Sequence, residues 1–256
     1  MIANYHTHTP LCRHAEGEPM AYAQSALDGG LQILGFSDHT PYWFPDGYYT
    51  HMRMYPGQLE GYVRSIQEVR QAFAGRLQIH VGLETEYYPG FWKETLPKLQ
   101  DAGIEYMLLG QHWIGDEMGE PYCGRPTSDE TRLKRYCHQV MDAMYTGQYT
   151  YVAHPDVVRF VGDEKVYMKH MREVCRTAKA CGIPLEINML GVRENRHYPD
   201  TRFWQVAGEE GCVAILGSDA HRPEHVWDPE TEHKALTIAK QFDLEILQTC
   251  TLRPIG

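Results

Sequence analysis

The chain has 256 residues, 43% of them hydrophobic and 23% charged, enough apolar mass for one large globular domain over residues 1–256. Its formal net charge of -10 excludes a long nucleic-acid track, which would need clustered Lys and Arg, and leaves a small substrate as the expected partner. No apolar run is long enough for a membrane span and no basic-then-apolar leader opens the chain, so no membrane association and a cytoplasmic location are expected.

Strand-like apolar runs and helix-like periodic runs alternate along the whole length, which predicts a parallel β/α architecture of seven units. The first strand, residues 2–8, runs through Ile2-Ala3-Asn4-Tyr5 into His6-Thr7-His8 and stops at the turn pair Thr9-Pro10. Histidines two apart on a strand project to the same side, a geometry for gripping a metal, although His-x-His alone describes two core histidines equally well. A helix follows from Glu18-Pro19 to Gly29-Gly30. The second strand, Leu31 to Ser37, leads to Asp38-His39 and a long aromatic loop, Thr40 to Tyr55; Leu59, Tyr62, Val63, Ile66, Val69 and Phe73 then recur at helical spacing. The third, Leu77 to Leu83, ends at Glu84 and a short helix follows through Leu99.

The fourth strand, Tyr106 to Leu109, ends in Gly110-Gln111-His112, and Thr127-Ser128-Asp129-Glu130 opens a helix closed by Gly147. The fifth, Tyr149 to Ala153, ends at His154-Pro155-Asp156, and its helix stops at Gly182. The sixth, Pro184 to Asn188, precedes the loop Met189 to Pro199 and a helix capped by Asp200. The seventh, Cys212 to Leu216, ends in Gly217-Ser218-Asp219-Ala220-His221, followed by a helix from Pro229 to Phe242 and room for a last short strand, Leu244 to Leu247. Loops after the strands are long and those before them short, which places function at the carboxyl ends of the strands. The seven cysteines include no Cys-x-x-Cys pair and are expected as reduced thiols, with Cys12 lying among candidate ligands.

The polar residues at or just beyond the strand ends are His6, His8, His14, His39, Glu84, His112, His154, Asp219 and His221. Imidazole with carboxylate suits zinc, manganese or iron, and nine candidate ligands exceed what one ion uses, so two or three divalent ions are implied, with Glu84 the candidate bridge. The remaining histidines, His51, His80, His138, His170, His197, His225 and His233, read as surface, core or substrate-loop residues, although His80 shares strand parity with Glu84.

The motifs His6-Thr7-His8, Cys12-Arg13-His14-Ala15, Phe36-Ser37-Asp38-His39, Gly82-Leu83-Glu84, Gly110-Gln111-His112, Ala153-His154-Pro155-Asp156 and Gly217-Ser218-Asp219-Ala220-His221 resemble, in order, the polymerase-and-histidinol-phosphatase (PHP) superfamily. More narrowly, the chain is similar to its histidinol-phosphatase members. The resemblance implies a distorted, TIM-like (β/α)7 barrel with a trinuclear centre. One ion would be held by His6, His8, Glu84 and Asp219, a second by Glu84, His112 and His154, and a third by His14, His39 and His221. The segments Gln111-His112-Trp113-Ile114-Gly115 and Tyr122-Cys123-Gly124-Arg125-Pro126 depart from the pattern of typical histidinol phosphatases.

The implied activity is metal-dependent hydrolysis of a phosphate monoester, L-histidinol phosphate in histidine biosynthesis, by a hydroxide shared between the first two ions. The leaving alkoxide needs a proton, for which Asp219 or His221 is the candidate and Asp219 the preferred one. Arg159 and Arg193 match arginines that the resemblance places at the substrate phosphate, and a guanidinium fork suits phosphate oxygens. Arg53, in the aromatic loop, is a weaker candidate for the same role. Tyr42, Trp43, Phe44, Tyr48 and Tyr49 either close over the substrate or simply pack that loop down. The competing readings are a PHP-type phosphoesterase acting on another small ester or nucleotide, and an amidohydrolase. The latter relies on a metal-bridging lysine at the fourth strand, where this chain has Gln111-His112.

Overall fold

The computed structural model describes all 256 residues. Its parallel sheet runs in sequence order through β1 (Ala3–Asn4), β2 (Ile33–His39), β3 (Gln78–Thr85), β4 (Tyr106–Leu109), β5 (Tyr149–Val152), β6 (Leu185–Asn188), β7 (Val213–Gly217) and β8 (Glu245–Leu247). The sheet has the seven expected units and, as its eighth strand, the short one allowed at Leu244–Leu247. The extra one pairs with the lower part of β7, from Val213 to Ile215, and carries none of the candidate ligands.

The first strand also differs from expectation. Residues 2–8 do not form one ladder; only Ala3 and Asn4 pair with β2. The Asn4 side chain takes over, its amide donating to Thr7 Oγ1 at 2.8 Å and its oxygen accepting the Ser218 N–H at 3.0 Å. The backbone then resumes as a parallel bridge between Thr7 and Ala220, in which the His8 N–H donates to the Ala220 carbonyl at 2.9 Å. The first segment is thus tied to β2 below and to the end of β7 above, joining the first and seventh strands at the rim where the candidate ligands lie.

The helices α1 (Pro19–Asp28), α2 (Leu59–Ala72), α3 (Pro89–Asp101), α4 (Glu130–Tyr145), α5 (Glu164–Ala180), α6 (Met189–Arg193), α7 (Thr201–Glu209) and α8 (Pro229–Gln241) follow the strands in the expected alternation, except that α6, capped by Asn188, opens the stretch Met189–Pro199 expected as a loop. Their starts obey local chemistry. Asp129, Asp163, Asp200 and Asp228 each accept a first-turn N–H, of α4, α5, α7 and α8 respectively. Pro19, Pro89 and Pro229 occupy first positions, where a missing N–H costs nothing. No helix is long and apolar enough to cross a membrane. All seven cysteines are free, and Cys12, Cys123, Cys137, Cys175 and Cys212 are buried.

The barrel interior below the rim is closed by a tyrosine floor. Tyr5, Tyr106 and Tyr151 pack with Ala3, Leu108, Ala153 and Ile215. The Tyr106 hydroxyl donates to the carbonyls of Tyr5 at 2.7 Å and Phe36 at 3.2 Å. Its ring lies where a side chain on Gly82 would go, since a Cβ there would stand 2.3 Å from it. The C-terminal tail packs Cys250 and Leu252 against this floor, and Arg253 donates to the carbonyls of Cys181 at 2.7 Å and Gly182 at 2.9 Å. His80, despite its parity with Glu84, lies near the other end of β3 and meets Glu105 at 3.0 Å.

Replacing Tyr106 with Ala empties the centre of the floor, for an expected loss of about 3–5 kcal/mol in denaturant unfolding. Tyr106→Phe keeps the ring and loses only the hydroxyl's bonds, for about 1 kcal/mol.

Candidate metal centre

All nine candidate ligands converge at the carboxyl rim of the sheet. Glu84, at the end of β3 and 1% exposed, is the hub. Its Oε2 faces His6 Nε2 at 3.5 Å, His8 Nε2 at 3.5 Å and His39 Nδ1 at 3.0 Å. Its Oε1 faces His112 Nε2 at 3.5 Å and His154 Nε2 at 2.7 Å. One carboxylate thus presents a separate oxygen to each of two ligand groups, the disposition a bridging ligand needs. The close approach depends on Gly110, where a Cβ would sit 2.0 Å from Glu84 Oε1.

Asp219 completes the first group from the loop after β7, its Oδ1 lying 3.5 Å from His6 Nε2 and 3.2 Å from His8 Nε2. A tetrahedral ion with bonds of about 2.0–2.2 Å separates its ligand atoms by roughly 3.3–3.6 Å. The separations among His6, His8, Glu84 and Asp219 match that spacing. A third group, His14, His39 and His221, brings its ligand atoms within 4.8 Å of one another, and Cys12 comes as near to His8 and His221. His8 and His221 stack with ring centres 4.2 Å apart, and His14 and His221 at 4.6 Å.

The fit to metal is also visible in what these atoms lack. His6 Nε2, both nitrogens of His8, His39 Nδ1, Asp219 Oδ1 and His221 Nε2 are buried without a hydrogen-bond partner. So many unsatisfied polar atoms in one place would be costly in a protein interior unless an ion satisfied them.

Electrostatics supports the same reading. Burial opposes the charged form of His6, yet Glu186, Asp219 and Glu84 hold it well above the usual histidine value. Burial is likewise outweighed at His8, by Asp219 and Asp38. His39 is driven well below that value by burial. Burial alone would raise the carboxyls, but His112, His39 and His6 hold Glu84, and His6, His8 and His221 hold Asp219, well below the ordinary range. Two residues carry strained backbone here, His154 at φ 30° and Asp219 at φ 46°, as polar loops do when they are bent to aim a functional group.

Outward-facing ligand nitrogens are braced from behind. His6 Nδ1 meets Glu186 Oε1 at 2.9 Å, and His112 Nδ1 meets Glu86 Oε1 at 2.9 Å. His14 Nδ1 and His221 Nδ1 donate to the carbonyls of Cys12 and Asp219. Such partners fix which ring nitrogen is free for an ion.

Residues 4–189 match the model of the PHP domain family. The chain belongs to that family. A protein of Deinococcus radiodurans named "Probable histidinol-phosphatase" is 35% identical over 234 residues, 88% of each chain. The histidinol-phosphatase of Bacillus subtilis is 23% identical, covering 85% of this chain and 92% of its own. Among solved structures, the histidinol phosphate phosphatase of Lactococcus lactis, complexed with zinc, L-histidinol and phosphate, superposes with a TM-score of 0.75 at 21% identity, over 99% of this chain and 98% of that one.

In this PHP domain the expected arginines are placed differently from the ligands. Arg53 is 2% exposed and clamps two carboxylates. It donates to Glu86 at 3.0 and 3.1 Å, to both oxygens of Glu117 and to the Thr40 carbonyl at 2.7 Å. No donor remains for a substrate, so its expected phosphate role is corrected to one of support behind His112. Arg159 is exposed and does not line the cleft; its backbone pairs with Thr127 and Cys123. Arg193 donates to Asp228 at 3.2 Å and to the His225 carbonyl at 3.4 Å and does not line the cleft, although its Nη1 is buried without a partner beside cleft-lining His225. The cations lining the cleft, whose volume is about 650 Å³, are Arg196 and Arg222. Neither was among the expected phosphate residues: Arg196 lies three residues past Arg193 in the loop after the sixth strand, and Arg222 directly follows His221.

The aromatic loop packs down. Tyr42 is buried and donates to the Glu86 carbonyl, Tyr48 donates to the Glu117 carbonyl at 2.8 Å, and none of the five aromatics lines the cleft. Trp113 and Tyr122, from the two departing segments, do line it, and their backbones form an antiparallel bridge.

Because His6 and His8 hold protons above the usual histidine value, ions must displace them, and metal affinity should rise with pH. Calorimetric titration of zinc in two buffers of different protonation enthalpy at neutral pH should reveal net proton release; equal heats would contradict this. Arg53→Met leaves Glu86 and Glu117 unpaired, for an expected loss of about 3–5 kcal/mol in denaturant unfolding. A phosphate clamp would instead raise KM with stability unchanged.

Proposed function

We propose that this chain is a metal-dependent phosphate-monoester hydrolase whose substrate is L-histidinol phosphate, releasing L-histidinol and phosphate in histidine biosynthesis. The observation that carries the reading is the cluster of buried, partnerless ligand atoms around Glu84 at tetrahedral spacing, at the base of a cleft lined by Arg196 and Arg222. The names of the relatives, and the zinc, histidinol and phosphate held by the Lactococcus lactis protein, support the substrate.

The ligand groups are assigned as His6, His8, Glu84 and Asp219, as Glu84, His112 and His154, and as His14, His39 and His221, for two or three ions of zinc, manganese or iron. Divalent ions there would lower the pKa of bound water towards about 7 and neutralise phosphoryl oxygens. Arg196 and Arg222 are assigned to the phosphoryl group from the cleft wall, with planar guanidinium donors suited to its oxygens. Asp219 is held ionised by the histidines around it and its Oδ2 accepts from Asn188 at 3.0 Å, which favours a ligand role over that of proton donor. His221 is the better donor to the leaving alkoxide when only the first two groups are filled. A third ion on His14, His39 and His221 would remove that option. The seven free cysteines accord with a reducing, cytoplasmic setting.

The test is phosphate release from L-histidinol phosphate by zinc- or manganese-loaded protein, beside an aryl phosphate and a chelator-treated control. Metal-dependent turnover of histidinol phosphate far above the aryl ester is expected. Turnover of the aryl ester alone would keep the phosphatase and discard the substrate. Arg196→Ala and Arg222→Ala should each lower kcat/KM at least tenfold with metal content unchanged.

A further inference from the structure

The sixth strand contributes no ligand, yet two of its side chains reach the centre. Glu186 and Asn188 stand two apart on β6 and therefore project to the same face. Glu186 is fully buried. Its Oε1 takes His6 Nδ1 at 2.9 Å, and its Oε2 accepts the backbone N–H of His154 at 2.9 Å and the Asn188 amide at 3.4 Å. Asn188 in turn donates to Asp219 Oδ2 at 3.0 Å, and its oxygen accepts the Gly191 N–H at 2.9 Å, capping the helix that leads into the Arg196 loop. Room for this arrangement comes from Gly217, where a Cβ would stand 1.6 Å from Glu186 Oε1.

We infer that Glu186, seconded by Asn188, is a positioning residue that sets the geometry of the first two ion sites together. It touches neither ion nor substrate. The physical reason is a count of donors. An ionised carboxylate only accepts, so the His6 ring must carry its proton on Nδ1 and present Nε2 to the centre. The same carboxylate holds the His154 backbone in its left-handed turn, where the His154 N–H has no other partner. Three N–H groups therefore converge on one carboxylate that reaches β1, the end of β5 and, through Asn188, the loop after β7. A glutamine of the same shape cannot replace it. Its amide has one accepting oxygen and turns two donors of its own towards N–H groups.

The brace rests on His6, His154 and Asp219 being ligands, and zinc binding without substrate tests both. Zinc affinity and ions bound per chain are measured by competition with a chromogenic chelator for the parent, Glu186→Gln, Asn188→Ala and the control Tyr151→Phe, which changes a buried group below the centre. Glu186→Gln is expected to lose roughly 10- to 100-fold in zinc affinity. Relative to its own metal-free unfolding midpoint, its gain in midpoint on adding zinc should be smaller than the parent's. Its kcat on L-histidinol phosphate should fall with KM within about twofold, whereas Tyr151→Phe keeps parental zinc binding. Asn188→Ala should lose affinity in the same direction, and it serves if Glu186→Gln does not fold. Parental zinc affinity in a folded Glu186→Gln or Asn188→Ala chain overturns the brace alone. A parent that binds no zinc overturns the ligand assignment as well, while zinc binding with no turnover of histidinol phosphate leaves the brace standing and removes only the substrate.

Discussion

The structure depends on keeping two carboxylates ionised, Glu84 and Asp219, inside a dry ring of imidazoles. Burying such charges unpaired would cost several kcal/mol each, and here histidines lie within 3.5 Å of both, with the Asn188 amide also donating to Asp219. Much of the surrounding architecture serves that condition. Glycine at 110 and 217 lets carboxylates approach a neighbouring strand, and Asn4 ties the first segment to the loop that carries Asp219. His154 and Asp219, both members of the ring, carry left-handed backbone.

The directly converging residues were legible because a β/α fold places whatever follows each strand on one rim. His6, His8, Glu84, His112, His154, Asp219 and His221 all follow from strand ends, and their chemistry is specific enough to be read. The residues behind them were not. Glu186 and Asn188 lie within a strand whose pattern, Leu-Glu-Ile-Asn, reads as ordinary alternation, and nothing local says that its polar face is fully buried. Glu86 and Glu117 read as loop acids until Arg53 is seen between them. The first strand was taken as continuous because its residues suit one, whereas a side-chain amide interrupts it at Asn4.

Arginine placement shows the limit of reasoning from neighbourhood in sequence. Arg53, Arg159 and Arg193 were near the right motifs, yet one is consumed by buried acids, one faces solvent and one holds a loop. A long side chain can point either way from the same backbone position, so proximity to a ligand decides little. What decides is the surface that the guanidinium reaches: Arg196, although paired with Glu194 and the Tyr198 hydroxyl, still lines the cleft. Arg196 and Arg222, each beside an acidic partner at the surface, remain at the cleft wall.

The tyrosine floor carries a consequence for traffic. Tyr5, Tyr106 and Tyr151, backed by the C-terminal tail, fill the barrel beneath the candidate ligands, so the cleft has no exit on that side. Anything held against the ligands at the bottom is trapped behind whatever occupies the space above it. For an ester whose phosphoryl end sits deepest, the alcohol must depart before inorganic phosphate can follow. For such an ester, the closed floor would make free phosphate the last product to leave and the one that blocks the next molecule of ester.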